Sequence, residues 1–134
     1  AKMLDPEFNK GIEVIVLPNL YGDIVTDVAA EHQGGLGTAS SSNIGNKYAM
    51  FEAIHGTAPF LMSHGRGNYA DPCSLIRAAG MLMAHIGYGD RKEILDKALD
   101  ICTITEKKLV TTDVDGATAA EFTDYLIDTI NRMK

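Results

Sequence analysis

A chain of 134 residues is enough for one ordinary domain, and its hydrophobic fraction of 46% allows a core to be buried. Its 12 Lys and Arg against 18 Asp and Glu give a net charge of −6, which argues against a nucleic acid or an anionic membrane as partner. No apolar run approaches the ~20 residues needed to span a bilayer. No signal peptide is recognisable either, so the expectation is a soluble, cytoplasmic protein.

The amino terminus reads Ala1-Lys2-Met3 and runs almost at once into a predicted strand. The expectation is therefore a segment cut from a longer protein. The two cysteines, Cys73 and Cys102, fall in predicted helices and lack metal-like spacing. They are expected to be buried thiols rather than a disulfide or a catalytic pair.

The first predicted elements are a strand over residues 12–17, ended by Pro18, and a helix from about Gly22 to Gln33, with Gly34-Gly35 as its stop signal. Asp23 and Asp27 are four residues apart, so a helix places both carboxylates on one face. Such a pair repels itself unless a cation lies between the two groups, and Mg²⁺ or Mn²⁺ prefers oxygen ligands. The alternative is an ordinary solvated acidic face.

A loop rich in Gly and Ser is predicted over residues 34–46, and the alternation from Tyr48 to Ile54 predicts a second strand. The small residues and the His of the following turn, residues 55–59, suggest a ligand site at the end of that strand. Residues 60–70 are predicted to be loop, and within them residues 65–70 match G-x-G-x-x-A, the dinucleotide fingerprint. Because no strand directly precedes it, this match is rejected as a Rossmann motif.

Three helices are predicted in the rest of the chain. The first begins at Asp71-Pro72, with Asp as N-cap and Pro at the first helical position. The second begins with an Asp-type capping box at residues 90–93, and the last begins at a Thr118…Glu121 box. Apolar side chains at helical spacing predict a buried stripe on each helix, which on the first of them includes Leu75, Leu82 and Ile86. Strands alternating with helices indicate an α/β architecture.

Several motifs occur in one order along the chain: Asn-Leu-Tyr-Gly-Asp-Ile-x-x-Asp, Gly-Gly-Leu-Gly, Ser-x-Asn-Ile-Gly, Phe-Glu-x-x-His-Gly-Thr-Ala-Pro and Asp-Pro. Together they resemble the β-decarboxylating dehydrogenases, meaning the isocitrate and 3-isopropylmalate dehydrogenases. The resemblance covers nearly the whole chain but only the C-terminal third of a family member. It implies the family's α/β fold, which is not a classical Rossmann fold.

The resemblance implies a reaction in which a 2-hydroxy acid is oxidised by hydride transfer to NAD(P) and then loses CO₂. Isocitrate, as in the tricarboxylic acid cycle, is favoured as substrate over 3-isopropylmalate or homoisocitrate. Asp23 and Asp27 would be two ligands of Mg²⁺ or Mn²⁺, which acts as a Lewis acid. The implied cofactor-binding residues are Glu52, His55, Gly56, Thr57, Ala58, Pro59 and Asp71.

The choice between NAD and NADP rests on few residues. Phe60-Leu61 follows the His-Gly-Thr-Ala-Pro turn and fits neither the NAD nor the NADP pattern of the family. Thr112 stands at a position where NADP-dependent members have Tyr, although Arg66 could reach a 2′-phosphate. The residues lean slightly towards NAD.

By resemblance, residues 1–33 are the tail of a small domain, and residues 34–134 are the C-terminal part of a large, nucleotide-binding domain. The substrate arginines, the catalytic Tyr and Lys, and a further metal Asp from the partner subunit precede this segment in family members. The segment alone is therefore expected to be inactive, and its full-length parent to be a homodimer. A non-catalytic regulatory subunit is the alternative.

Overall fold

A computed structural model of the chain describes residues 7, 10–12, 14–33, 38–108, 110 and 112–133, without the side chain of residue 33. Its contacts divide the chain into two compact units, Ala1–Gly35 and Leu36–Lys134. The predicted helix stop at residues 34–35 and the Gly-Gly-Leu-Gly motif lie outside the described residues.

The first unit contains helix α1, Asn19–Gln33. It begins three residues earlier than predicted, because the carbonyl of Pro18 accepts the N–H of Gly22 at 2.8 Å and so closes a first turn ahead of Gly22. The predicted helix that carries both aspartates is therefore present, and it is one turn longer at its start.

The strand predicted over residues 12–17 was wrong for the residues that are described there. Residues 12 and 14–17 have no regular secondary structure, and the side chains of Val14 and Val16 are 79% and 90% exposed. A strand persists only when a neighbour satisfies its backbone N–H and C=O groups. None of the described residues pairs with this segment, so its β-branched composition produces no sheet there.

The second unit begins with an antiparallel hairpin of β1, Ser40–Ile44, and β2, Ala49–Ala53. Ser42 pairs with Phe51, and the turn is closed by the Gly45 N–H, which donates to the Tyr48 carbonyl at 2.9 Å. Strand β2 was predicted. Strand β1 was predicted to be loop, which was wrong, because pairing with β2 overrides the weak strand propensity of a Ser-rich segment.

The helical part of the second unit follows the hairpin. Its elements are α2 at Pro59–Ser63, a 3₁₀ turn at Gly67–Tyr69, α3 at Cys73–His85, α4 at Gly89–Asp100, a π-helical turn at Ile101–Thr105, and α5 at Ala119–Arg132. Residues 60–70 were predicted to be loop, but α2 extends into them. A helix rather than a strand thus precedes the G-x-G-x-x-A match, in agreement with its rejection as a Rossmann motif.

The core of the second unit lies between α3, α4, the π-helical turn and α5. Its buried members are Cys73, Ala98, Leu99, Cys102, Phe122 and Leu126. The predicted buried faces of α4 and α5 are therefore confirmed. The hydroxyl of Ser74, also buried, donates to the carbonyl of Ala39 and ties the start of the hairpin to α3.

The buried face of α3 differs from the predicted apolar stripe. Leu75, Leu82 and Ile86 were predicted to be core, yet they are 62%, 43% and 58% exposed. Small residues are buried instead, Ala78 and Gly80 among them. An added Cβ at Gly80 would lie 3.4 Å from Leu95 of α4, so close approach of the two helices selects small side chains on that face.

The two predicted capping boxes have different outcomes. Thr118 and Glu121 form a full capping box at the start of α5, which confirms that prediction. The Asp90 box was wrong: α4 begins at Gly89, its N-cap is Tyr88 without a side-chain hydrogen bond, and Asp90 contacts Arg91 at 3.4 Å.

Within the described part of the chain, no helix has the length and apolar character needed to cross a bilayer.

Candidate functional site

A cavity of about 410 Å³ opens in the second unit where the end of the hairpin meets the first turns of α2 and α3. Its lining residues come from three separate stretches of the chain: His55, Gly56, Thr57, Ala58, Pro59 and Leu61; Ala70 and Asp71; and Thr112. Six of the seven predicted cofactor-binding residues thus line one cavity. Among the described residues of this lining, none is Lys or Arg.

The turn from His55 to Pro59 forms one wall of this cavity. Ala58 has φ 47° and ψ 57°, in the left-handed region, and is the N-cap of α2. Pro59 supplies the first helical residue, where its missing N–H costs nothing. His55 Nδ1 lies 3.0 Å from the carbonyl oxygen of Gly56, and because a carbonyl only accepts, Nδ1 carries the proton. A neutral ring in this tautomer presents an unprotonated Nε2.

Asp71 lies on a second wall, just before α3. One carboxylate oxygen, Oδ1, accepts the N–H of Cys73 at 2.8 Å. Asp71 was predicted to be the N-cap, but the helix begins at Cys73 with Pro72 as its N-cap. Asp71 still caps the helix from one position further out, and its second oxygen, Oδ2, can accept from a ligand or water.

Cys73 lies next to this wall, in the core. Burial, with a smaller contribution from the Asp71 carboxylate, raises the pKa of the Cys73 thiol far above its usual range. A thiol that stays protonated is a poor nucleophile and a poor metal ligand. Both cysteines are free and buried, so the prediction of buried thiols is confirmed.

Glu52 is the one predicted cofactor-binding residue that does not line the cavity. It is exposed on strand β2, opposite Ser41, and its Oε1 accepts the amide of Asn43 at 2.9 Å. This hydrogen bond holds the Glu52 side chain against the neighbouring strand, just ahead of the turn that begins with His55.

Three lining residues were not among the predicted site residues: Leu61, Ala70 and Thr112. The first two flank the predicted turn and the predicted helix start, so their place in the wall follows from chain proximity. Thr112 comes from far along the chain and has φ 63°, an uncommon conformation for a β-branched residue. Such outliers concentrate at functional sites, and both Thr112 and Ala58 line this cavity.

The cavity is suited to a flat, mostly apolar group that carries a few hydrogen-bonding atoms. Its size is in the range of small-molecule sites. The apolar side chains of Pro59, Leu61 and Ala70 can contact a ring face. His55, Thr57 and Asp71 offer hydrogen-bonding groups around it.

Asp23 and Asp27 lie in the first unit, on α1, and both side chains are exposed. The spacing therefore places two carboxylates on one accessible helix face, as predicted. Oxygen donors of this kind fit Mg²⁺ or Mn²⁺. Among the described residues, no group of three or more His, Cys, Asp or Glu side chains could hold an ion, so an ion at Asp23 and Asp27 would need further ligands from outside them.

Comparisons with known proteins bear directly on this arrangement. A family profile described as isocitrate/isopropylmalate dehydrogenase matches residues 3–130. The chain belongs to this family. The predicted resemblance is therefore confirmed.

Two relatives illustrate the similarity in sequence. The chain is 43% identical over 130 residues to a mitochondrial regulatory subunit of isocitrate dehydrogenase (NAD) from Dictyostelium discoideum, a match that covers 96% of this chain and 35% of that protein. It is 50% identical over 86 residues to the isocitrate dehydrogenase (NADP) of Rickettsia typhi, covering 64% of this chain and 17% of that protein.

One solved structure illustrates the similarity in fold. The crystal structure of isocitrate dehydrogenase from Methylococcus capsulatus superposes with a TM-score of 0.84 at 28% identity, over 96% of this chain and 37% of that one. This superposition confirms the predicted α/β fold of the family. The chain covers 35%, 17% and 37% of these three proteins, in the order given.

Proposed function

We propose that this chain is the C-terminal part of an isocitrate dehydrogenase-type oxidative decarboxylase, which converts isocitrate to 2-oxoglutarate and CO₂ with hydride transfer to a nicotinamide cofactor. The observation that carries the proposal is the cavity of about 410 Å³, in which six residues of the family's motifs, including His55 and Asp71, converge from two stretches of chain.

The cavity binds the adenosine part of NAD(P) in this proposal. Leu61 and Pro59 contact the ring, and His55, Thr57 and Asp71 supply hydrogen-bonding groups. The left-handed turn at Ala58 keeps backbone atoms close to the ligand. Glu52 lies just outside the cavity and is proposed to reach the same nucleotide at its periphery.

Asp23 and Asp27 would hold Mg²⁺ or Mn²⁺ together with ligands from outside the described residues. The bound ion supplies Lewis-acid chemistry to the substrate's oxygens. The two carboxylates already lie on one exposed face of α1, so binding needs no rearrangement of the helix. Their mutual repulsion is relieved in the bound state.

Residues 1–33 then form the tail of a small domain and residues 34–134 the C-terminal part of a large, nucleotide-binding domain. A full-length parent is proposed to be a homodimer with active sites completed from both subunits. The 134 residues by themselves are proposed to lack dehydrogenase activity, because the substrate-binding and catalytic groups of the family precede this segment.

The test is an absorbance assay of nicotinamide reduction. It compares the longest natural polypeptide that carries this sequence with the 134-residue chain, each with Mg²⁺, isocitrate or 3-isopropylmalate, and NAD or NADP. Turnover by the long polypeptide with isocitrate is the expected result. Turnover only with 3-isopropylmalate would contradict the substrate assignment, and turnover by the 134-residue chain would contradict the assignment of catalytic groups.

A non-catalytic regulatory subunit is the second candidate, supported by the 43% identity to a protein named as one. The presence of both Asp23 and Asp27 favours the catalytic interpretation, because a subunit that binds no metal needs neither. Mn²⁺ titration of the long polypeptide, with Asp27→Asn as control, separates the two. Binding that the substitution abolishes supports the catalytic interpretation, and no binding by the unaltered protein supports the regulatory one.

A further inference from the structure

One continuous segment, residues 59–70, joins two walls of the cavity and is here called the bridge. Leu61 lines the cavity near the start of the bridge, and Ala70 lines it at the end. Backbone hydrogen bonds close the bridge on itself. The Arg66 N–H donates to the Leu61 carbonyl at 2.9 Å, and the Gly67 carbonyl accepts the N–H of the last bridge residue at 3.2 Å. We therefore expect a change of packing inside the bridge to reach both walls.

Met62 makes a side-chain contact between the two halves of the bridge. It lies on α2, whereas Gly67 is the first residue of the 3₁₀ turn. A Cβ added to Gly67 would lie only 2.7 Å from Met62 Sδ and 3.4 Å from its Cε. Non-bonded carbon and sulfur atoms do not approach as closely as the shorter of these distances. The thioether therefore packs directly against the Gly67 backbone.

The Met62 thioether is also accessible from solvent. Met62 is 65% exposed, compared with 52% for Met50 and 38% for Met133. The other methionines that the structure describes, Met81 and Met83, are partly buried, and both cysteines are buried. A small oxidant in solution therefore reaches the Met62 sulfur more readily than the other sulfur atoms of the described chain.

We propose that Met62 is a site of reversible oxidative modification, through which hydrogen peroxide loosens the bridge and with it the cavity. The peroxide transfers one oxygen atom to the Met62 thioether; the sulfur is oxidised by two electrons to a sulfoxide, and the peroxide is reduced to water. A sulfoxide is polar, and at this exposed position water solvates it in preference to the contact with Gly67. The 3₁₀ turn then loses its contact with α2.

The consequence for binding rests on the proposed nucleotide function, whereas the modification itself does not. A loosened bridge no longer holds Leu61 and Ala70 at fixed positions in the cavity, so a nucleotide binds less tightly. A thiol-dependent methionine sulfoxide reductase removes the added oxygen as water and restores the thioether. The cavity is thus sensitive to peroxide without a reactive cysteine.

The first measurement needs no ligand. The 134-residue chain is treated with dilute hydrogen peroxide, peptide mass spectrometry locates the added oxygen, and backbone amide NMR shifts are compared before and after treatment. We expect oxidation at Met62 ahead of Met50, with displaced amide shifts at Gly67 and Ala70. Oxidation of Met50 first, or unmoved amides at Gly67 and Ala70 in the Met62 sulfoxide, would overturn the inference whatever the chain binds.

The second measurement is the dissociation constant for NAD before and after the treatment. Oxidation should weaken binding about fivefold, as for the loss of one ordinary packing contact of a thioether. Incubation with the reductase should restore the original affinity. Met62→Leu keeps an apolar side chain of similar volume that peroxide does not oxidise, so its affinity should not respond to treatment.

Met50→Leu is the matched control, because it removes another exposed thioether, from strand β2. It should keep the full response to peroxide. Equal affinities before and after complete oxidation of Met62 overturn the inference, as does a similar loss in treated Met62→Leu, which would assign the effect to another residue. Failure of the untreated chain to bind NAD overturns the proposed function, and the ligand-free measurement then decides the inference on its own.

Discussion

Asp71 Oδ1 accepts a hydrogen bond from the backbone N–H of Cys73 at 2.8 Å, at the point where α3 begins and the cavity wall ends. One side chain therefore has two tasks. It satisfies an N–H that the helix itself cannot pair, and it lines the cavity in which the nucleotide is proposed to bind. Stability and ligand binding can be separated at this position, because Asn keeps the acceptor and removes the charge.

Replacing Asp71 by Ala should lower the free energy of unfolding by about 1 kcal/mol, the usual cost of losing a helix cap. Asp71→Asn should stay within about 0.5 kcal/mol of the wild type, because its amide oxygen can accept the same N–H. Urea unfolding followed by circular dichroism measures both. Equal losses in the two variants would mean that the charge, not the hydrogen bond, stabilises the start of α3.

Asp27→Asn should lower the activity of the long polypeptide by more than about 100-fold, since even outer-shell partners of a bound metal are worth 10–100-fold. The same change should leave apo stability unchanged or raise it by about 0.3 kcal/mol, because like charges four apart on a helix repel. Steady-state kinetics and thermal unfolding measure the two effects.

Glu31→Gln is the control for that substitution, since it removes a carboxylate from the same helix α1. Its activity should stay near the wild-type value. Full activity in Asp27→Asn, or an equal loss in Glu31→Gln, would contradict the assignment of Asp27 as a metal ligand.

The capping box of α5 predicts a specific pH dependence of stability. Glu121 Oε2 accepts the N–H of Thr118 at 2.8 Å and its hydroxyl at 2.9 Å, and the pKa of Glu121 is lowered by these bonds, that of the backbone N–H first. A carboxyl whose pKa is lower in the folded state stabilises fully above its unfolded pKa. That stabilisation is lost as the pH falls through the folded pKa.

Stability of the wild type relative to Glu121→Gln should therefore be constant at neutral pH and fall on the acid side of the ordinary Glu pKa of 4.5. Gln keeps an acceptor but does not titrate, so the comparison isolates this one carboxyl. Urea midpoints of both proteins at a series of pH values provide the measurement. Parallel curves down to the lowest pH would show that Glu121 does not contribute through its charge.

Phe122 is fully buried between α5 and its neighbours in the core of the second unit. Phe122→Ala should lower the free energy of unfolding by about 3–5 kcal/mol, because the buried apolar area is lost and a cavity remains. Ile127→Ala lies on the same helix at a residue that is 51% exposed and should cost less than about 1 kcal/mol. Similar losses for the two would place the buried face of α5 elsewhere.

Residues whose role is local could be predicted from the sequence. The cap formed by Thr118 and Glu121 depends on a spacing of three residues, and the helix that carries Asp23 and Asp27 follows from a local pattern. The turn from His55 to Pro59 was identified by motif, and in the structure it lines the same cavity as Asp71. The determining contacts of the cap and of the helix lie within about one helical turn.

Features that depend on distant partners could not be predicted. Ser40–Ile44 is a strand because β2 pairs with it, whereas the better strand composition of residues 14–17 finds no partner among the described residues. The exposed side of α3 at Leu75 and the contact of Arg66 with Asp113 also depend on packing between segments far apart in sequence. Periodicity locates a helix, but it does not say which neighbour will cover its face.

The most direct test of the proposed function is a titration of the isotopically labelled 134-residue chain with NAD, followed by backbone amide NMR shifts. The proposal predicts saturable shifts concentrated at residues 55–58, 70–71 and 112, with the amides of α5 unaffected. Absence of any saturable shift, or saturable shifts that leave His55, Thr57 and Asp71 unmoved, would contradict the assignment of the cavity as a nucleotide site.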